Sequence, residues 1–488
     1  MLAHAFPFPE LSPQLQALVR TGYGLLLLVM LADLCRHGRR FFLSERWGGY
    51  GQSSWSVDSL QNPLAYPLVM VAWFAAATAL IAGWWTVGAA LANLLFCRYY
   101  FVQMRWKGVS RGLGAPGFMT YWLGAGVFLL EFCTHFAPAL QGTALLVLQV
   151  DFACIMLSAG IYKFTAGYPR NHGMELGMVN PQWGYWHRAF ARVPPDHWIF
   201  KTLNHLAWSL EIVAAALMLV PATRAWGAVI IIGSFVFIAT QIRLGTLCHV
   251  VIVSSLLFFA PNTFAGQLLA SIVPAWLVPS AMPTTSSCLP LAAGLWAYLL
   301  LLPLAHAGLF YNFYGRKSLP GPMQRCLERY TNFFGIIIWR VFSADHTNFC
   351  IMVHRQPGDA RGGHGRQLVS DYSRWGGRFS HVGECITLTT LFTTLKYYPS
   401  NSGLFRERLL RYARTIACPA GWLLVFEYLQ VCKTARGFQL VPAAEYHVGP
   451  DGSITEIHLS GEPSVRQAHA ASPVHEGVRP GSYVALGT

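Results

Sequence analysis

Nine apolar runs, each close to the length of a bilayer crossing, constrain this chain more than any other feature. They cover residues 17–35, 65–84, 85–103, 118–136, 143–167, 203–221, 226–242, 247–260 and 289–311. A helix needs about 20 apolar residues to cross the hydrocarbon core. Inside lipid the backbone must satisfy its own hydrogen bonds, so such runs fold as helices. A further run, 265–278, is shorter and broken by Pro274, and reads as re-entrant or interfacial. The expectation is an α-helical polytopic membrane protein with 8–10 transmembrane helices. Composition agrees, with 54% apolar and 11% charged residues among 488, against roughly 25% charged in soluble proteins. Residues 1–13 carry no basic n-region, and arginines follow the first run where a cleavage site would stand. Residues 17–35 are therefore expected to be a retained span.

Charge then orders the loops. Arg36, Arg39, Arg40 and Arg46 follow the first run, and Arg98, Arg105, Lys107 and Arg111 follow the third. Both groups lie on one side if 65–84 and 85–103 form a hairpin, and the positive-inside rule makes that side cytoplasmic. Alternation brings loop 168–201, with Arg170, Arg188 and Arg192, to the same side. Arg316, Lys317 and Arg325 join them if 265–278 does not cross. Topology thus accounts for the net charge of +14 without a nucleic-acid partner. The partner implied is the lipid bilayer, and the location a cell membrane, the inner one in a bacterium. The eleven cysteines are scattered, with no CxxC pair, and read as small hydrophobes and reduced thiols.

Beyond residue 315 the pattern changes to that of a soluble mixed α/β domain, residues 316–460. Segments 368–373, 386–395 and 437–447 read as strands, and 443–457 as two strands around a turn at Pro450 and Asp451. Residues 404–415 form an amphipathic pattern rich in arginine. Arg406, Arg408, Arg411 and Arg414 suit a solvated or headgroup-facing helix, or a dock for an acidic partner. Residues 333–342 are too short to span and read as interfacial. Residues 461–488, rich in Ser, Pro, Ala and Gly, read as a disordered tail.

Residues 151–261 carry the clearest motif. A helix ends in Ser158-Ala159-Gly160-Ile161-Tyr162-Lys163. An aromatic, polar loop follows, with His172-Gly173-Met174-Glu175 and Asn180-Pro181-Gln182-Trp183-Gly184-Tyr185-Trp186. The next span holds His205 and Glu211, and the one after ends in Thr240, Gln241 and Arg243. This arrangement resembles the HTTM domain, the superfamily of the vitamin K-dependent gamma-carboxylases, and is similar to the lipase maturation factors. Trp339 and Phe342 resemble the Trp-x-x-Phe element that follows the HTTM helices. The resemblance covers roughly residues 10–345, and gives residues 1–315 as an HTTM-like transmembrane domain. In the carboxylases, the lysine that Lys163 matches is the base that deprotonates a quinol. The resemblance therefore implies Lys163 as a catalytic base, Glu211 as its orienting partner, and quinone or quinol as a cofactor. The chain departs from that pattern in two places. Residues 116–122 lack the helper histidine, and Tyr162 stands where animal carboxylases carry a second lysine.

Each residue also has a plainer reading. Lys163 suits a snorkelling lysine at a helix end as well as a buried amine. Glu211, about two turns into its span, suits a structural partner for a cation, as do Glu131 and Asp151. His172, His187, His197 and His205 match no metal-ligand spacing, so no metal site is expected. Trp183 and Trp186 suit an interfacial aromatic belt, or a stacking site for a quinone or lipid, with His172, His205 and Gln241 beside them. No phosphate-binding loop, nucleophile elbow or His-Glu-x-x-His motif is present. Two functions follow: an accessory, assembly or maturation role for a membrane or exported partner protein, or a membrane-embedded enzyme acting with a quinol or lipid-soluble substrate.

Overall fold

The computed structural model describes residues 8–278, 288–315, 317–339, 344–358, 365–370, 378–398 and 400–459. The expected tail at 461–488 lies outside them, as do parts of 333–342 and 368–373. The chain is mostly helical, and seven helices are long and apolar enough to cross a membrane. The bundle comprises α1 (Pro13–Cys35), α2 (Ala65–Ala82), α3 (Thr86–Cys97), α4 (Gly114–Phe136), α5 (Gln141–Thr165), α6 (Trp198–Leu219), α7 (Arg224–Gln241), α8 (Leu247–Ser255), α9 (Phe264–Ser271) and α10 (Leu289–Gly315). Of these, α3, α8 and α9 fall short of the spanning length.

Local chemistry sets the boundaries. Ser12 accepts from the Leu15 amide, and Pro13 opens α1, its missing N–H being one the first turn has no use for. Asn62 accepts from the amides of Leu64 and Ala65 to start α2, and Gly83, left-handed at φ 73°, ends it. Thr263 caps α9, which carries exposed Phe264 and Leu268, and the stripe continues through Ile272 to Trp276. Arg20 of α1 donates to the Leu277 carbonyl at 2.6 Å, which ties this segment to one end of the bundle. It packs at that end, and α9 with its eight residues is too short to span a bilayer core.

The other end gathers the arginine loops. Phe42 stacks on Tyr66, Gly51 bridges Gly108, and Gly184 bridges Ile242. These contacts bring the loops after α1, α3, α5 and α7 together. A five-stranded antiparallel sheet, in the order β2-β1-β3-β4-β5, sits against that same end. Its strands are β1 (Phe349–Pro357), β2 (Gln367–Leu368), β3 (Trp422–Thr434), β4 (Gly437–Val448) and β5 (Ile454–His458). The hairpin expected over 443–457 is present as β4 and β5, whereas β1 and β3 lie where the sequence reading placed no strand. Between α10 and the sheet, α11 (Gly321–Phe334) runs back along α10, with Leu327 against Gly308 and Gln324 bonded to Asn312.

One expected strand is a helix. Residues 386–395, rich in threonine, belong to α12 (Arg378–Tyr397). Val382, Cys385, Leu388, Phe392 and Leu395 recur at helical spacing and are buried. Thr387 and Thr394 satisfy their hydroxyls on the carbonyls of Gly383 and Thr390, one turn back. Burial of that face against the sheet thus overrides β propensity. Phe392 meets Phe405 of α13 (Ser402–Ala413) and Tyr446 of β4. The arginine stripe of α13 is partly inward. Arg411 pairs with Glu45 at 2.6 Å, Arg408 donates to Thr394 at 2.7 Å, and Arg406 and Arg414 remain exposed.

Sheet and bundle share one continuous apolar core, and charges seal the junction. Arg40 pairs with Glu384 at 2.6 Å, and the hydroxyls of Tyr50 and Tyr412 donate to the same carboxylate. Burial, and then the Glu384 charge, push both phenols well above their ordinary range, so they stay protonated donors.

On the sheet, burial alone would raise the Glu445 carboxyl. Hydrogen bonds from Arg366 and His447 outweigh it and hold the group below the usual carboxylate range. A carboxyl lowered by folding adds stability that is fully present above its unfolded value and is lost as pH falls through the folded one. The protection of the β4 and β5 amides against hydrogen exchange, taken relative to the intrinsic rate at each pH, is therefore expected to fall below about pH 4. Glu445→Gln should flatten that acid dependence.

Candidate functional site

The motif at the end of α5 works through what it lacks. A Cβ at Gly160 would lie 2.7 Å from Ile212 and 3.0 Å from the Trp208 carbonyl of α6. Only glycine lets the two helices approach this closely. One turn on, Lys163 then meets Glu211, which shares the α6 face with Trp208 and Ile212. The two form an ion pair with side chains 6% and 5% exposed. Both predicted catalytic residues are therefore brought together, in a site cut off from water. Glu211 uses Oε1 on Lys163, while its Oε2 has no partner among the described residues. Phe164 packs edge-on against Trp208 at 4.9 Å, and the hydroxyls of Thr165 and Tyr314 lie 2.7 Å apart beside them.

The aromatic loop is fastened to the end of α7. The Tyr185 amide donates to the Gln241 carbonyl at 3.0 Å, and the Arg243 amide donates to the Trp183 carbonyl at 2.7 Å. The Arg243 guanidinium donates to the Pro181 carbonyl and lies over the Tyr185 ring. Trp186 donates its indole N–H to the Thr240 carbonyl at 3.0 Å, and the Gln241 amide turns to the Thr240 hydroxyl. A Cβ at Gly184 would sit 2.0 Å from the Met178 carbonyl, so the loop needs glycine there. Trp183 is buried and Trp186 exposed, and these residues and Gln241 form a unit apart from the ion pair. His172 and His205 do not join Lys163. His172 is exposed beside Gly167, and His205 is exposed on α6 with its ring 6.3 Å from Trp208. Among the described residues, no group of three or more His, Cys, Asp or Glu is placed to hold a metal ion.

Other buried polar groups find fixed partners. Glu131 faces Arg20 at 3.7 Å and accepts from Gln16 at 3.0 Å. Asp151 accepts from the Trp122 indole at 2.8 Å and the Tyr298 hydroxyl at 2.7 Å. The sequence reading missed Glu175 as a buried hub. It accepts from the Gly173 amide, from Asn204 of α6 and, at 3.0 Å, from Lys433 of β3. The signal was an acid within an apolar stretch, but a partner 258 residues away is not legible in sequence. Asn180 likewise donates to the Thr347 and Phe349 carbonyls, joining the aromatic loop to the sheet.

No family model matches this chain, and neither a curated protein nor a solved structure does.

Breaking a buried pair strands a charge, which costs about 3–5 kcal/mol, whereas apolar replacement of both partners is often neutral. Lys163→Met is therefore expected to lower the thermal midpoint strongly, and Lys163→Met with Glu211→Leu to recover most of it. Gly160→Val should cost about 1–3 kcal/mol by overpacking, measured by the same unfolding experiment in detergent.

Proposed function

We propose that this chain is a multi-pass membrane protein of the HTTM type that its motif resembles, and that it assists the assembly or maturation of a membrane or exported partner protein. Two rings of exposed tryptophan support the membrane placement. Trp84, Trp85, Trp226 and Trp276 lie at one end of the bundle, and Trp55, Trp186 and Trp198 at the other. Tryptophan favours the two water–lipid boundaries. With α3 and α8 completing the bundle, eight or more segments reach into the bilayer. The arginine loops then mark the cytoplasmic side, and the sheet lies with them.

The observation that carries the accessory reading is the closure of the Lys163–Glu211 pair. A base that takes a proton from a substrate must be reached by it. Here the amine, the atom that would act, is spent on Glu211 Oε1, and Gly160 packs α5 directly against α6 beside it. The stretch 116–122, compared with the one that holds the helper histidine in the carboxylases, has no histidine here, and its Trp122 is committed to Asp151. One observation favours the second reading, a membrane enzyme using a quinol or another lipid-soluble substrate with Lys163 as base. Glu211 keeps one oxygen free beside the amine.

Complementation separates the two. Lys163→Ala and Lys163→Met with Glu211→Leu are introduced into a strain lacking the gene. Membrane and secreted proteins are then quantified. The accessory reading expects the double variant to restore the partner's level to within about twofold of wild type, because its packing is kept. Complete loss of function in a folded double variant would favour the enzyme and sink the accessory role.

A further inference from the structure

Two polar atoms beside the ion pair are left over. Glu211 Oε2 is enclosed and has no hydrogen-bond partner among the described residues. The indole N–H of Trp208, on the same face of α6, is equally enclosed and equally unmet. Residues three apart on a helix have their Cβ atoms about 5–6 Å apart, so the two side chains leave α6 side by side. An enclosed donor and an enclosed acceptor are each unfavourable when unmet. A hydroxyl answers both, accepting from the indole and donating to the carboxylate. A ketone or ether answers only the indole, and an ammonium group only the carboxylate.

The surroundings say where that hydroxyl comes from. Phe164 packs edge-on against the Trp208 ring and is 50% exposed on the outer face of the bundle. Along α6 the polar residues Lys201, Asn204 and His205 give way at Leu206 to an apolar stretch. His205 is exposed, and Glu211 lies about 9 Å further along the axis. That is the depth at which lipid headgroups meet acyl chains. We propose that Glu211 Oε2 and Trp208 Nε1 together bind the hydroxyl of a membrane lipid alcohol, such as a diacylglycerol, which enters between Phe164 and Trp208. The proposal rests on the reading that the bundle is embedded in a bilayer, and it holds under either functional role.

The test uses the full-length protein in lipid nanodiscs with a photoactivatable diacylglycerol and its O-methyl ether, the adducts being mapped by mass spectrometry. The alcohol should label the peptides bearing Phe164 and Trp208 saturably, and about fivefold or more above the ether, the factor for one lost hydrogen bond. Trp208→Phe keeps the ring, removes the N–H, and should reduce labelling by a similar factor. Equal labelling by alcohol and ether overturns the proposal, as does undiminished labelling of Trp208→Phe or none at these peptides. Water is then the group that meets the two atoms. A chain that folds in detergent but does not enter nanodiscs refutes the bilayer reading itself, an outcome distinct from entry without labelling.

Discussion

A charge taken out of water must meet an opposite charge or aimed hydrogen bonds, and that constraint organises this molecule at every level. Within the bundle, Arg20 faces Glu131, Lys163 meets Glu211, and Asp151 rests on an indole and a phenol. Where bundle meets sheet, Arg40 meets Glu384, Glu45 meets Arg411, and Glu175 meets Lys433. Apolar packing holds the helices together without specifying one arrangement. These pairs select the register in which the helices lie and fix where the sheet sits. Gly160 belongs to the same logic, because without its missing side chain Lys163 does not reach Glu211.

What the sequence disclosed follows from how local each signal is. The long apolar helices were legible because unbroken apolar runs of about 20 residues suit a bilayer crossing whatever surrounds them in the fold. The motif of Ala159, Gly160 and Lys163 was legible because it lies within one turn of helix. The short segment 265–278 was rightly set apart, since Pro274 interrupts it. The β4–β5 hairpin showed in its turn residues. Residues 386–395 misled because threonine favours strands wherever its surroundings are unknown. Their buried face is helical, and only the neighbouring sheet reveals that.

The candidate site divides along the same line. Lys163 and Glu211 were each visible as charges in apolar stretches, and the structure supplies their pairing. Trp183, Trp186 and Gln241 were visible as a polar, aromatic cluster, and the structure shows it fastened by main-chain bonds to the end of α7. The histidines attracted attention by their type, but His172 and His205 are exposed, whereas the pair is buried. Glu175 and Asn180 stood in the motif without a role because their partners come from β3, from β1 and from the residues just before it. No periodicity links residues so far apart.

The Glu175–Lys433 contact has a consequence for biosynthesis. Glu175 emerges from the ribosome 258 residues before the lysine that neutralises it. At elongation rates of about 5–20 residues per second, the carboxylate waits roughly 10–50 s for its partner. Glu45 waits longer still for Arg411, 366 residues later. Throughout that interval the arginine-loop end of the newly made bundle stands open, with its charges hydrated and its apolar seam uncovered. The bundle is thus made first and finished last.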